Sequence, residues 1–169
     1  MSKKITFIVY GNIIPKMRPR ATTGGGFTRV YTPSKQKMNE NLIADAYFRE
    51  VEKTNFEGFG ESPVKLEVLI HDEVPKSFSK KKRQLALDGK LLPVTHNGDL
   101  DNRLKTICDG LNHTNCWKDD CYVAKIIAER IYDEKDYAEI TISEYSQREN
   151  STNETIIENI NINDDEMVF

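Results

Sequence analysis

Residues 99–120 read DLDNRLKTICDGLNHTNCWKDD, and the fold turns on this stretch. Leu100, Leu104, Ile107, Cys108 and Leu111 recur at the spacing of one helical face, while Asp101, Lys105 and Asp109 recur every fourth residue along another. The carboxylates therefore face away from the core. Asp99 stands at the N-cap position, and Gly110 with Asn112 supplies stop signals, which predicts a helix over 99–110. The Asp119-Asp120 pair follows a short loop and leads into CYVAKIIAERIY, whose β-branched and aromatic content is that of a strand. Helix, loop and strand can thus bring Asp99, Asp101 and Asp120 together.

Outward from this segment, the patterning predicts strands near 4–10, 64–71, 121–132 and 136–145, with further helices near 33–52 and 79–88. Pro33 suits a helix first turn, Ser79 a cap, and Gly89 a helix end. The expected class is α/β (α+β): one domain with a mixed β-sheet packed with helices. Gly24 to Phe27 reads either as a turn lying against a ligand or as a hairpin tip. The chain's 169 residues fit one domain over 1–145, followed by an acidic tail over 146–169 that is rich in Ser, Asn, Thr and Glu and reads as flexible.

Composition excludes several classes. With 38% hydrophobic and 30% charged residues the chain is ordinary for a soluble protein, and it nowhere holds the ~18 consecutive apolar residues of a membrane span. Without a secretion signal, the three cysteines Cys108, Cys116 and Cys121 are expected as reduced thiols in a cytoplasmic protein. A zinc site of these three with His113 lacks the close C-x2-C pairing of common zinc motifs, and Cys108 falls near the apolar helix face, so packing is the better reading there. Trp117 either stacks on a base or packs the loop that holds Asp119 and Asp120.

The net charge of −3 conceals an asymmetry. Residues 144–169 carry seven acidic residues against Arg148 alone, a net −6, so the rest of the chain carries +3. Within that body Lys16, Arg18, Arg20 and Arg29 flank the glycines at 24–26, and Lys80, Lys81, Lys82 and Arg83 open the second helix. Such clusters are either the footprint of phosphate-backbone binding or a solvated charged face.

The aspartates suggest what the body does. Mg2+ takes oxygen ligands and keeps waters and substrate phosphates, so a few carboxylates with open positions suit it. Two such ions roughly 3.5–4 Å apart serve in-line phosphodiester cleavage. Lys105, one turn beyond Asp101, is placed to stabilise charge on a phosphate or to orient the attacking water. Taken singly, Asp99 reads as a cap and Asp101-Lys105 as a surface ion pair. Together, clustered carboxylates repel one another, a cost that a bound cation relieves. An EF-hand is excluded, because the fifth and sixth positions from Asp99 are Arg103 and Leu104. An Asp-x-Asp glycosyltransferase lacks a glycine-rich nucleotide motif here, and a phosphatase with Asp99 as nucleophile fits a basic body less well than a polymeric substrate does.

At these residues the chain resembles the RusA-like Holliday junction resolvases (crossover junction endodeoxyribonucleases) of bacteria and their phages. The resemblance is carried by Asp99-Leu100-Asp101-Asn102, Lys105, Asp109-Gly110-Leu111-Asn112 and Trp117-Lys118-Asp119-Asp120. Gly11, Pro15-Lys16, Arg18-Pro19-Arg20 and Tyr31-Thr32-Pro33 look like the family's opening motif, so the similarity spans about 5–143. It implies a Mg2+-dependent endonuclease, with Mn2+ as a substitute, that nicks opposed strands of four-way DNA junctions in recombination and repair. It also implies a homodimer and a bacterial host cell or a phage source. Asp99, Asp101 and Asp120 match the metal-binding acids, Lys105 matches the essential lysine, and Asn102, Asp109 and Asp119 match supporting positions. Tyr122 stands where a glutamine is expected, and Arg103 replaces an apolar residue inside the helix. The rival expectation is a non-catalytic junction-binding or architectural protein in which the aspartates are structural.

The last residues, DDEMVF, resemble the acidic tip of bacterial single-stranded DNA-binding proteins. Asp164, Asp165, Glu166 and Phe169 are accordingly expected either to recruit a repair or replication partner, to shield the basic face, or simply to solubilise the chain.

Overall fold

Alternation in the first strand sets up the architecture: Ile5, Phe7 and Val9 are buried while Lys4, Thr6, Ile8 and Tyr10 are exposed, so one face of the strand is committed to a core. The computed structural model describes residues 3–18, 20–24, 27–94 and 98–146. Strand β1 (Lys4–Tyr10) is followed by a hairpin of β2 (Arg20–Gly24) and β3 (Phe27–Tyr31), helix α1 (Ser34–Thr54), β4 (Val64–Glu73) and α2 (Lys80–Leu87). Then come α3 (Leu100–Asn112), a 3-10 turn at Asp120–Tyr122, β5 (Val123–Asp133) and β6 (Tyr137–Glu144). No helix among the described residues is long and apolar enough to cross a membrane.

Four strands form a mixed sheet in the order β1-β6-β4-β5. Both partners of β6 are antiparallel to it, whereas β4 and β5 run parallel, joined by the crossover that contains α2 and α3. Register places Val68 beside Ile140 and Ala128, and Phe7 beside Ile140, so one face of the sheet presents a continuous apolar layer. Ile43 and Tyr47 of α1 and Ile107 and Leu111 of α3 pack into the same core. The result is the expected α+β single domain, and the hairpin β2–β3 forms a separate two-stranded sheet.

One helix boundary and one strand boundary differ from those expected. Helix α3 passes through Gly110 and ends at Asn112, because Gly110 is where it crosses α1: a Cβ there would stand 2.9 Å from the Glu40 carbonyl oxygen and 2.9 Å from Ile43 Cβ. The glycine permits close approach rather than stopping the helix. Residues 120–122 form the 3-10 turn, so β5 starts at Val123 and not at 121. Ser79 caps α2 as expected, accepting from the Lys82 N–H, and Gly89 ends it with φ +71.

Candidate active site

Helix α3 carries the candidate residues on its solvent side. Asp99 occupies the N-cap position, yet its side chain makes no capping hydrogen bond, so both carboxylate oxygens are uncommitted among the described residues. Asp101 is exposed and accepts a hydrogen bond from Lys105 Nζ at 3.1 Å, one turn on; this contact, foremost, holds the Asp101 carboxyl below its ordinary range. In the Lys105–Asp101 pair a cation can compete for the carboxylate and a phosphate for the ammonium. Asp109, on the next turn, is half-buried and forms an ion pair with Lys16. Asn102 offers its backbone carbonyl to the Lys16 N–H at 2.9 Å.

Asp120 opens the 3-10 turn at the foot of β5. Asp119 caps that turn: its Oδ1 accepts from the Cys121 N–H at 2.9 Å, which lowers the Asp119 carboxyl pKa. The preceding loop is fastened at several points. Trp117 is buried and donates through Nε1 to Asn112 Oδ1 at 2.6 Å, so it packs the loop, and its ring is withdrawn from any base. Phe59 N–H donates to the Cys116 carbonyl, Lys118 N–H to the Gly60 carbonyl, and Lys118 Nζ pairs with Glu61 at 2.6 Å. The turn lies against α3, and the charge of Asp120 contributes, after burial, to pushing the Cys108 thiol up to about 12. Cys108 and Cys116 are core residues and Cys121 is exposed; burial raises Cys116 to about 12 as well, opposite to the thiolate character that zinc ligation requires. His113 lies 3.7 Å from Glu40.

Does this arrangement suit Mg2+? Asp99, Asp101 and Asp120 are exposed oxygen donors, and the Asp99 side chain makes no capping hydrogen bond among the described residues. Among the described residues no three His, Cys, Asp or Glu side chains converge as a metal cage. Mg2+ does not demand one, since it is commonly bound by one or two carboxylates with waters and substrate phosphates completing the octahedron. The donor set fits; the convergence is not preformed.

The segment 11–18, which carries Lys16 and Arg18, is held at nearly every residue. Asn39 donates to the Asn12 carbonyl at 2.8 Å and accepts from the Ile14 N–H at 3.2 Å; Gln36 accepts from the Met17 N–H at 3.0 Å. Arg103 Nε donates to the Ile13 carbonyl at 2.6 Å. Lys16 and Arg18 are exposed at its end. The side chains of Arg20 and Arg29, the glycines at 25 and 26, and Asp164, Asp165, Glu166 and Phe169 lie outside what the structure describes. Lys80, Lys81 and Lys82 are exposed and Arg83 half-buried at the head of α2, with Lys82 Nζ 3.9 Å from the centroid of the Phe78 ring.

Arg103, Asp72 and Arg130 were not anticipated as a unit. Arg103 lies on the buried face of α3, completely shielded from solvent, and its partner Asp72 in β4 is equally buried. The available signal was positional: a charge four residues before Ile107, on the apolar stripe, requires a buried acid elsewhere in the chain.

Residues 11–143 match the family described as Endodeoxyribonuclease RusA. The chain belongs to this family. It is also 33% identical over 144 residues to the uncharacterized protein YqaN of Bacillus subtilis (strain 168), an alignment covering 84% of this chain and 97% of that protein. Membership in the RusA family makes the chain a nuclease by kinship, and the Asp99–Asp120 stretch and the 11–18 segment both fall within the matched residues.

Proposed function

We propose that this chain is a Mg2+-dependent endodeoxyribonuclease that resolves four-way DNA junctions by paired nicks, acting as a homodimer with one site per cut strand. The observation that carries this reading is the position of Asp99, Asp101 and Lys105 on the exposed side of α3, beside the turn that presents Asp120, in a member of an endodeoxyribonuclease family. Asp99, Asp101 and Asp120 would hold the metal. When bound, Mg2+ supplies an activated water and neutralises charge on the scissile phosphate. Lys105 leaves Asp101 and places its ammonium on the transition-state phosphate, a point charge suited to that role. Lys16 and Arg18 grip the DNA backbone from a segment that α1 and α3 hold still, which favours positioning over sequence reading.

The test is cleavage of a synthetic four-way junction beside linear duplex and single strand, with Mg2+ or EDTA, comparing the wild type with Asp101→Asn. Symmetric paired nicks that need both Mg2+ and Asp101 support the proposal. Tight junction binding without cutting in any divalent metal replaces it with a non-catalytic junction-binding protein. Equal cutting of all three substrates leaves a nuclease without junction selectivity. As for the tail, deletion of 164–169 that changes neither partner capture nor the salt dependence of DNA binding removes both recruitment and shielding as its roles.

A further inference from the structure

Asp99 is a candidate ligand whose side chain makes no capping hydrogen bond, so its position depends on how its backbone is held. That backbone is hooked from the neighbouring strand. Arg130 in β5 donates through Nη1 to the carbonyl of Gly98, the residue immediately before Asp99, at 2.9 Å. The other edge of the same guanidinium is fixed on Asp72, with Nε and Nη2 at 3.1 and 3.0 Å from Oδ2. Asp72 in turn receives Arg103 Nη1 at 2.8 Å on Oδ1, and no part of it reaches solvent. Gly98 adopts φ +79, and a Cβ added there would lie 2.7 Å from Pro15 Cγ, so this turn is wedged against the 11–18 segment as well.

We propose that Arg130, anchored by Asp72, is a positioning residue for Asp99: it sets where the carboxylate stands by fixing the Gly98 carbonyl. Three features of the geometry support a role beyond holding the fold. A planar guanidinium can bridge a carboxylate and a carbonyl at the same time, which an ammonium or an apolar side chain cannot do. Two arginines sharing one buried carboxylate is a costly way to fill a core, since apolar side chains of similar volume are often at least as stabilising. And the second end of the bridge falls on the peptide preceding a candidate ligand, in the manner of outer residues that orient metal ligands.

The inference rests on Asp99 being a metal ligand, and the experiment separates the two. Mn2+ binding to the full chain, without DNA, is followed by the loss of the free-ion EPR signal for the wild type, Asp99→Asn, Arg130→Gln and Arg130→Lys. Arg130→Gln should weaken binding by about tenfold, the lower end of what loss of a ligand-orienting residue causes. Arg130→Lys, which reaches Asp72 or Gly98 but not both, should lose affinity to a smaller extent. Amide hydrogen exchange provides a second readout: in Arg130→Gln it should rise over 98–102 and stay unchanged over 104–111. Unaltered Mn2+ affinity in Arg130→Gln, with affinity lost in Asp99→Asn, overturns the positioning role alone. Faster exchange throughout α3 and the sheet assigns Arg130 to folding and also overturns it; if that variant does not fold, wild-type affinity in Arg130→Lys does the same. Affinity that is undetectable in the wild type, or undiminished in Asp99→Asn, removes the Asp99 ligand reading and this inference with it.

Discussion

The guanidinium of Arg103 on α3 and the carboxylate of Asp72 on β4 meet through Nη1 at 2.8 and 3.0 Å, both side chains fully withdrawn from water. Removing one partner of such a pair strands the other in a low-dielectric interior, which typically costs about 3–5 kcal/mol. Asp72→Ala removes the carboxylate that both arginines share and should lose stability on this scale. Arg103→Met should cost less, because Arg130 still holds Asp72. Urea unfolding of the two variants measures the order, and a smaller loss for Asp72→Ala would contradict it.

Gly110→Ala should destabilise, against the usual trend for a helix interior, where alanine gains about 1 kcal/mol over glycine. The new methyl would meet backbone and a β-branched side chain of α1 at 2.9 Å, and overpacking of this kind costs roughly 1–3 kcal/mol. A midpoint of chemical denaturation that rises in the variant would show that α1 and α3 separate without penalty.

Lys105→Ala should slow cleavage by on the order of 10²-fold, comparable to loss of one electrostatic donor at a reacting centre. Junction affinity measured in EDTA should change little, since the ammonium is turned toward Asp101 in the free protein. Equal losses in affinity and rate would assign Lys105 to backbone positioning instead.

Asp133 should contribute to an acid transition away from the site. Its carboxylate accepts from the Glu134 N–H at 2.6 Å, foremost, and from His71 Nδ1 and the Tyr137 hydroxyl at 2.8 and 3.0 Å, which together lower its pKa below the ordinary 3.8. A carboxyl depressed in the folded state contributes stability above its unfolded value, and the contribution disappears as pH falls through the folded one. The wild type should therefore lose stability below about pH 4 more steeply than Asp133→Asn. Parallel acid limbs in thermal unfolding would show that these contacts carry no pH dependence.

Much of the fold was legible because period and burial agree. The alternation of 4–10 and the apolar residues of 64–70 gave their strands directly, and the Leu100, Ile107 and Leu111 stripe gave α3. Gly110 was misread because a glycine beside a helix end and a glycine at a helix crossing look identical until the second helix is in place. Strands β2 and β3 have only five residues each, too few for a period to show. The candidate acids stood out by clustering, but the supports did not: Arg103 and Asp72 are separated by 31 positions, and Asn39 and Gln36 resemble ordinary polar residues of an amphipathic helix until they are seen to clamp residues 12–17.

The two carbonyls that end on the Asp72 network, Ile13 through Arg103 and Gly98 through Arg130, belong to the segment that grips and the turn that cuts in the proposed function. One buried carboxylate thereby acts as the common datum of a ruler. In that proposed function a strand seated on Lys16 and Arg18 would meet Asp99 at a spacing written into the protein interior, and the offset between the held phosphate and the nick would then belong to the protein and stay constant whatever bases the DNA contains.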